Sequence, residues 1–272
     1  MPELPEVETI RRGIAPWLAD SAIADVIVRE PRLRFPVPPD LPGRLRGQRV
    51  GSVRRRSKYL LIGCERDTLL IHLGMSGRLH VLTAPEAPRK HDHVDIVVDS
   101  GTVLRFHDPR RFGCVLLCEG DGSGERLLAG LGPEPLEDAF DGDYLHARLR
   151  DRRATIKALL MDARIVVGVG NIYAQEALFE AGIRPGRAAG RLSRPECHRL
   201  VAAVRAVLER AVVAGGTTLR DFTGADGAPG YFQQDLHVYG RAGLSCRRCT
   251  STLRLTRITG RSSTWCPRCQ PR

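Results

Sequence analysis

The chain has 272 residues and is 42% hydrophobic, enough for a globular protein with more than one core, and no run approaches the ~18 apolar residues of a transmembrane helix. Its formal net charge of +11 points to a polyanionic partner, nucleic acid ahead of an anionic membrane, because no basic amphipathic helix stands out. The acidic, proline-rich start is unlike a signal peptide, so a cytoplasmic (nucleoid-associated) monomer is expected, with the eight cysteines serving as thiols or metal ligands rather than disulfides.

The first predicted element is an amphipathic helix. Val7, Ile10, Ile14 and Leu18 recur at helical spacing, with Arg11 and Arg12 on the other side. Met1-Pro2-Glu3-Leu4-Pro5-Glu6 leads into it, and two readings of that hexamer stand side by side. Proline and acids suit the first turn of a helix. If Met1 is removed, however, Pro2 carries a free secondary α-amine. Such an amine titrates near ~8, against ~10.4 for lysine, so more of it is neutral at neutral pH. With Glu3 and Glu6 beside it, that amine suits imine chemistry on a sugar aldehyde carbon.

From about residue 22 to 118 the pattern becomes short β-rich runs near 23–29, 49–54, 59–62, 68–73, 78–82, 93–98, 103–107 and 114–117. Their number and spacing predict an antiparallel sandwich. Residues 36–42 and 83–90 read as proline-containing loops, 125–131 as a short helix and 132–135 as a linker. Helices are then expected over 143–150, 154–161, 172–181 and 193–213, the last capped by Ser193 with Glu196 three residues on. The stretch 215–230, with five glycines, reads as a mobile loop, and no internal repeat is present.

Several features carry chemistry. Of the 42 basic residues only Lys58, Lys90 and Lys157 are lysines. Lysine can exchange a proton where arginine effectively cannot, so each is a candidate functional residue. In the tail, Cys246-x-x-Cys249 and Cys266-x-x-Cys269 are separated by 16 residues. Two such pairs predict a closed, tetrahedral four-sulfur zinc site that is structural rather than catalytic. Residues 241–272 also hold eight arginines and no acid, Arg261 among them. Asp108-Pro109-Arg110-Arg111-Phe112-Gly113 joins two predicted strands. It reads either as a basic loop with an aromatic for insertion into a base stack, or as a tight turn with Phe112 folded into the core. Core packing is the default for Met75, between two glycines at a strand end. Gly168-Val169-Gly170-Asn171 before a helix could hold a phosphate or be a structural turn, with Arg152, Arg153 and Lys157 upstream as further phosphate contacts. Cys64, Cys114, Cys118 and Cys197 read as buried packing residues.

Together these motifs resemble the bacterial formamidopyrimidine-DNA glycosylases, the Fpg/MutM branch of the Fpg/Nei family. The resemblance runs from Pro2 to the last cysteine, through residues 1–9, Lys58-Tyr59-Leu60-Leu61, 71–77, 90–95, 108–113, 168–174, 216–219 and the cysteine tail. Leu4 and the Arg-x-Phe loop favour Fpg over the Nei branch, which prefers oxidised pyrimidines. The resemblance implies an α+β fold: an N-terminal catalytic β-sandwich with flanking helices (1–132), a helical helix–two-turn–helix domain (133–235) and a zinc-finger β-hairpin (236–272). It implies removal of 8-oxoguanine and formamidopyrimidines from double-stranded DNA, followed by β,δ-elimination at the abasic site, with one structural zinc ion. Pro2 would attack C1′, Glu3 handle protons at the sugar ring and Glu6 hold the opened sugar. Lys58 would act in β-elimination and Arg261 in δ-elimination. Arginine holds its proton, so charge stabilisation suits Arg261 better than proton donation. Met75, Arg110 and Phe112 would fill the gap left by the flipped nucleotide, and His91, Arg152, Lys157 and Asn171 would contact phosphates. The glycine-rich loop would close over the flipped base. The other readings are a Nei-like glycosylase and a non-catalytic zinc-ribbon DNA-binding protein.

Overall fold

The computed structural model describes residues 1–216 and 236–271. Nearly all of the expected glycine-rich loop lies outside the described residues. The chain forms two compact units, one holding Met1–Ala129 with 214–216, the other Gly130–Val213 with 236–271.

In the first unit α1 (Leu4–Leu18) begins where the hydrophobic spacing places it. Pro5 lies in its first turn, where a missing N–H costs nothing, and Leu4, Val7, Ile10, Ile14 and Leu18 are buried. All eight expected strands form, with ends within two residues of expectation: β1 (Ile23–Val28), β2 (Val50–Arg56), β3 (Tyr59–Cys64), β4 (Asp67–His72), β5 (Arg78–Leu82), β6 (Asp92–Val98), β7 (Val103–His107) and β8 (Cys114–Glu119). They make two four-stranded antiparallel sheets, ordered β1-β6-β7-β5 and β2-β3-β4-β8. Strand alternation supplies the core. Val26, Ile96, Leu104 and Phe106 from one sheet join Leu60, Ile62, Leu69 and Ile71 from the other, with the apolar stripe of α1. The intervening residues Leu61 and Leu70 form a second cluster with Cys114 and Cys118.

Two expectations change here. The stretch 36–42 ends in a short helix, α2 (Leu41–Leu45), with Pro42 in its first turn and both leucines buried. The helix expected over 125–131 does not form. Those residues make turns, and Glu125 uses its own carboxylate to accept the Leu127 N–H at 3.1 Å, a local bond that competes with helix.

The second unit contains α3 (Gly142–Leu149), α4 (Ile156–Leu160), α5 (Asn171–Glu180), a 3₁₀ turn (Ala189–Arg191), α6 (Arg194–Val213) and the hairpin β9 (Arg254–Ile258)–β10 (Arg261–Trp265). Residues 172–179 of α5 are all buried, so it is the central helix rather than an amphipathic one. Turns closed by the Asp162 and Ile165 main-chain N–H groups lead from α4 towards α5. Glu196 accepts from the Ser193 N–H at 2.8 Å, so the expected cap of α6 is present.

Candidate active site and metal centre

In the first unit the helix start and three strand ends carry the candidate residues. Pro2, Glu3 and Glu6 are buried at the first turn of α1, the two acids 3% and 2% exposed. The Glu3 N–H donates to Glu6 Oε2 at 2.8 Å, which fixes the Glu6 carboxyl beneath the terminus. Gly216 closes on the same group: a Cβ there would lie 3.0 Å from Glu6 Oε1. Lys58 occupies the β2–β3 turn, next to Ser57 at φ 57°. Arg55 fastens that turn to α1, bonding the Ser57 carbonyl at 2.9 Å and Glu8 at 3.3 Å. Burial holds the His72 imidazole down to about 4, aided by the charges of Lys58 and Arg34. His72 is therefore neutral at pH 7, and its Nδ1 accepts the Gly74 N–H at 3.0 Å.

Met75 and Phe112 are both exposed, at 42% and 45%, so the core reading fails for each. They occupy two turns packed back to back. A Cβ on Gly74 would come within 2.4 Å of the Gly113 nitrogen, and Gly74 sits at φ +62°, so this approach demands glycine. The Arg110 guanidinium carbon stacks 4.7 Å over the Phe112 ring. Large exposed apolar groups beside a cation suit insertion between bases.

The organiser of this region is a residue that the sequence motif contained but did not distinguish. Asp108 is 0% exposed. Its carboxyl accepts from Ser76 Oγ (3.0 Å), the Gly113 N–H (2.8 Å) and the Arg110 N–H (3.3 Å). Its main chain binds the His91 carbonyl at 3.0 Å and meets His93 Nε2 at 2.8 Å. One side chain thus links both turns, and its backbone links them to His91. His91 is half-buried and lines a cavity of about 580 Å³ of mixed charge, with Arg29, Arg89, Lys90 and Arg111 beside Glu30 and Asp92.

In the second unit the structure revises how Lys157 can act. Its side chain is 1% exposed. Its ammonium donates to Asn171 Oδ1 (2.6 Å), Ser263 Oγ (2.6 Å) and the Ser262 carbonyl (3.0 Å), one acceptor for each of its three hydrogens. Lys157 therefore ties α4 and the N-terminus of α5 to β10 instead of reaching into solvent. Gln175, missed by the sequence reading, completes the tie, bonding the Asn171 carbonyl at 2.7 Å and the Thr264 N–H at 2.6 Å. A polar residue in an otherwise buried helix was the available signal. Asn171 and the exposed Arg261 line one cavity of about 480 Å³ with Gln175 and Tyr239. Arg152 is exposed, with its main chain against Gly190 and its charge bearing on Asp162.

The sulfur atoms of Cys246, Cys249, Cys266 and Cys269 lie within 4.8 Å of one another. Backbone N–H groups of Arg248 and Cys269 point at Cys246 and Cys266 sulfurs, at 3.4 and 3.3 Å, a pattern that favours thiolates. The donor set fits a metal ion. The other four cysteines behave as packing residues: burial raises the thiols of Cys64, Cys114 and Cys197 to about 11 and that of Cys118 to about 12. The four-cysteine cluster has few apolar neighbours of its own, chiefly Phe179, Val238 and Leu253. Cys249→Ser should therefore weaken DNA binding about tenfold or more while the β-sandwich stays folded, read by fluorescence anisotropy beside a thermal melt. Unchanged binding would separate the hairpin from the grip on DNA.

The pattern of the Formamidopyrimidine-DNA glycosylase N-terminal domain matches residues 1–115, and that of the Formamidopyrimidine-DNA glycosylase H2TH domain matches residues 131–223. A Formamidopyrimidine-DNA glycosylase from Thioalkalivibrio sulfidiphilus is 59% identical over 271 residues, covering 99% of this chain and 100% of that protein. Among solved structures, the MutM (Fpg) protein of Thermus thermophilus is 40% identical with a TM-score of 0.89, covering 99% of this chain and 98% of that one. The Lactococcus lactis Fpg has been solved with DNA containing an abasic site, at 31% identity and TM-score 0.91 over 99% of this chain and 100% of that one. It has also been solved with DNA containing an oxidised pyrimidine, at 32% identity and TM-score 0.91 with both chains covered in full. With family patterns over most of its length and relatives matched end to end, the chain belongs to the formamidopyrimidine-DNA glycosylase family.

Proposed function

We propose that this protein is a base-excision repair glycosylase that removes oxidised purines, 8-oxoguanine and formamidopyrimidines, from duplex DNA and then cleaves the strand as an abasic-site lyase. The observation that carries this reading is the first turn of α1, where Pro2 is buried beside two carboxyl groups, one held by the Glu3 N–H. With Met1 removed, the Pro2 nitrogen is a secondary amine mounted on a rigid helix. Its addition to C1′ expels the base and gives an iminium ion, with Glu3 transferring protons at the sugar ring and Glu6 holding the opened sugar. The iminium acidifies C2′, and Lys58 takes part in β-elimination. Arg261 stabilises the phosphate that departs in δ-elimination, a charge role its fixed proton allows.

Recognition rests on the other groups. Met75 and Phe112 fill the space left by the everted nucleotide and Arg110 faces the orphaned base. His91, Asn171 and Arg152 contact backbone phosphates, and Lys157 acts by holding Asn171 and the hairpin in place. The ion at the four cysteines is zinc. A Zn–S bond of about 2.3 Å gives a tetrahedron with sulfur–sulfur edges of about 3.8 Å; the paired sulfurs here stand 3.9 and 3.4 Å apart. Its chemistry is structural, since four thiolates leave no open position.

A second reading is supported by the Lactococcus relative, whose structure with an oxidised pyrimidine shows that such a fold accepts one. Borohydride trapping divides the readings. An 8-oxoguanine:cytosine duplex should trap at least about tenfold faster than a duplex bearing an oxidised pyrimidine, a gap of about 1.4 kcal/mol in barrier. The reverse order would make the enzyme Nei-like, and no adduct on either would leave a DNA-binding protein without catalysis.

A further inference from the structure

A second concave surface lies wholly within the second unit. It is a cavity of about 710 Å³ whose walls include Thr155, Arg184, Arg187, Arg191, Arg257 and Trp265. It shares the β9–β10 hairpin with the Asn171 cavity. Thr256, Ile258 and Trp265 alternate to one side, with Arg261 paired to Ile258, while Leu255, Arg257, Ser262 and Thr264 alternate to the other, so each cavity takes side chains from both faces of the hairpin.

Four of its ten lining residues are arginines and none is acidic. Only Arg187 among the four has a carboxylate partner among the described residues, Glu196 at 2.5 Å, and it also donates to the Arg191 carbonyl at 2.7 Å. Arg187 is thereby a fixed wall, and Arg184, Arg191 and Arg257 supply uncompensated charge. Arg184 is held in an unusual way. Its guanidinium carbon lies 4.1 Å from the centre of the Trp265 ring, and Trp265 is only 4% exposed. Stacked contact of this kind does not use the in-plane N–H groups of a guanidinium, which stay available for a bidentate oxyanion. Uncompensated arginines cost self-repulsion, which an anion relieves.

We infer that this pocket binds backbone phosphodiesters of the DNA duplex, a second grip on the same finger beside that of Asn171 and Arg261. The inference rests on the reading that the ligand is DNA. The volume exceeds what one free phosphate would fill, and apolar wall from Ile258 and Trp265 suits the sugar face of a nucleotide chain.

The test uses full-length holoenzyme and two variants, the double change Arg191→Gln with Arg257→Gln, and Arg184→Gln alone. Affinity for an undamaged duplex is followed against salt. The slope of log K against log salt should become shallower by about 0.9 for each phosphate that is no longer neutralised, so by about 1–2 in the double variant. Single-turnover excision at saturating enzyme and the yield of trapped adduct should stay at the wild-type level. Wild-type slopes in both variants would overturn the pocket. So would loss of inorganic phosphate binding without any change in the DNA slope, because that assigns the site to a small anion. Failure of the wild-type enzyme to trap an adduct would count against the glycosylase reading, while the slopes would still decide the pocket.

Discussion

Protein that retains Met1 should form no borohydride-stable adduct with an 8-oxoguanine duplex, while protein beginning at Pro2 traps readily. In the Met1 form the proline nitrogen is an amide. Its lone pair is delocalised into the carbonyl, so it cannot add to C1′ at all, and the loss should be complete. Pro2→Gly, processed to a free amine, tests a finer point. Glycine offers a primary amine, whose imine can lose its proton and its charge; the iminium from proline cannot. The electron sink at C1′ is then permanent only with proline, and the glycine variant should excise at least about 10²-fold more slowly, or about 2.7 kcal/mol in barrier. Both forms should bind abasic-site duplex within about threefold of the processed enzyme, since the proposed phosphate contacts, His91, Asn171 and Arg152, are untouched. Mass spectrometry fixes the terminus in each preparation. Trapping by the Met1 form would shift the nucleophile to a lysine, and Lys58→Gln would then abolish it.

How much of this was legible depended on whether the signal was local. The strands were readable because the period-2 alternation at Leu60, Ile62, Leu69 and Ile71 reflects a core that each strand meets independently. The four-cysteine cluster was readable because ligand spacing is itself the constraint. The state of Phe112 and Met75 was not, because nothing local decides between core and solvent; the decision is made by Asp108 across the gap between two turns. Lys157 shows a different limit. Its rarity marked it as functional, but only the fold reveals that its ammonium is enclosed by Asn171, Ser262 and Ser263. The missing helix at 125–131 failed for a third reason, since Glu125 captures a backbone N–H that a helix would have used differently. In each case a side chain bonded to a main chain or turn whose position the sequence does not give.

Asp108→Ala should separate base recognition from sugar chemistry. Removing this carboxyl strands Ser76 Oγ–H, the Gly113 N–H and the Arg110 N–H in a region where Asp108 is 0% exposed. Each stranded donor costs about 1–3 kcal/mol, and partial access of water to the loosened turns offsets part of it, so a loss of about 3 kcal/mol in stability is expected. The more telling effect is on geometry. Met75 and Phe112 no longer share a fixed spacing, and a displacement of about 1 Å in a positioning group can cost about 10²-fold in rate. Excision of 8-oxoguanine should fall by that factor. Strand cleavage at a preformed abasic site should fall less than about fivefold, because in the proposed mechanism it uses Pro2 and Lys58 but no base to evert. Ser76→Ala removes one of the three bonds and should lie between wild type and Asp108→Ala on the first assay and near wild type on the second. Equal losses on both substrates would mean that Asp108 supports the whole sandwich rather than the two turns. A wild-type excision rate in Asp108→Ala would show that Met75 and Phe112 are placed by the sheets alone.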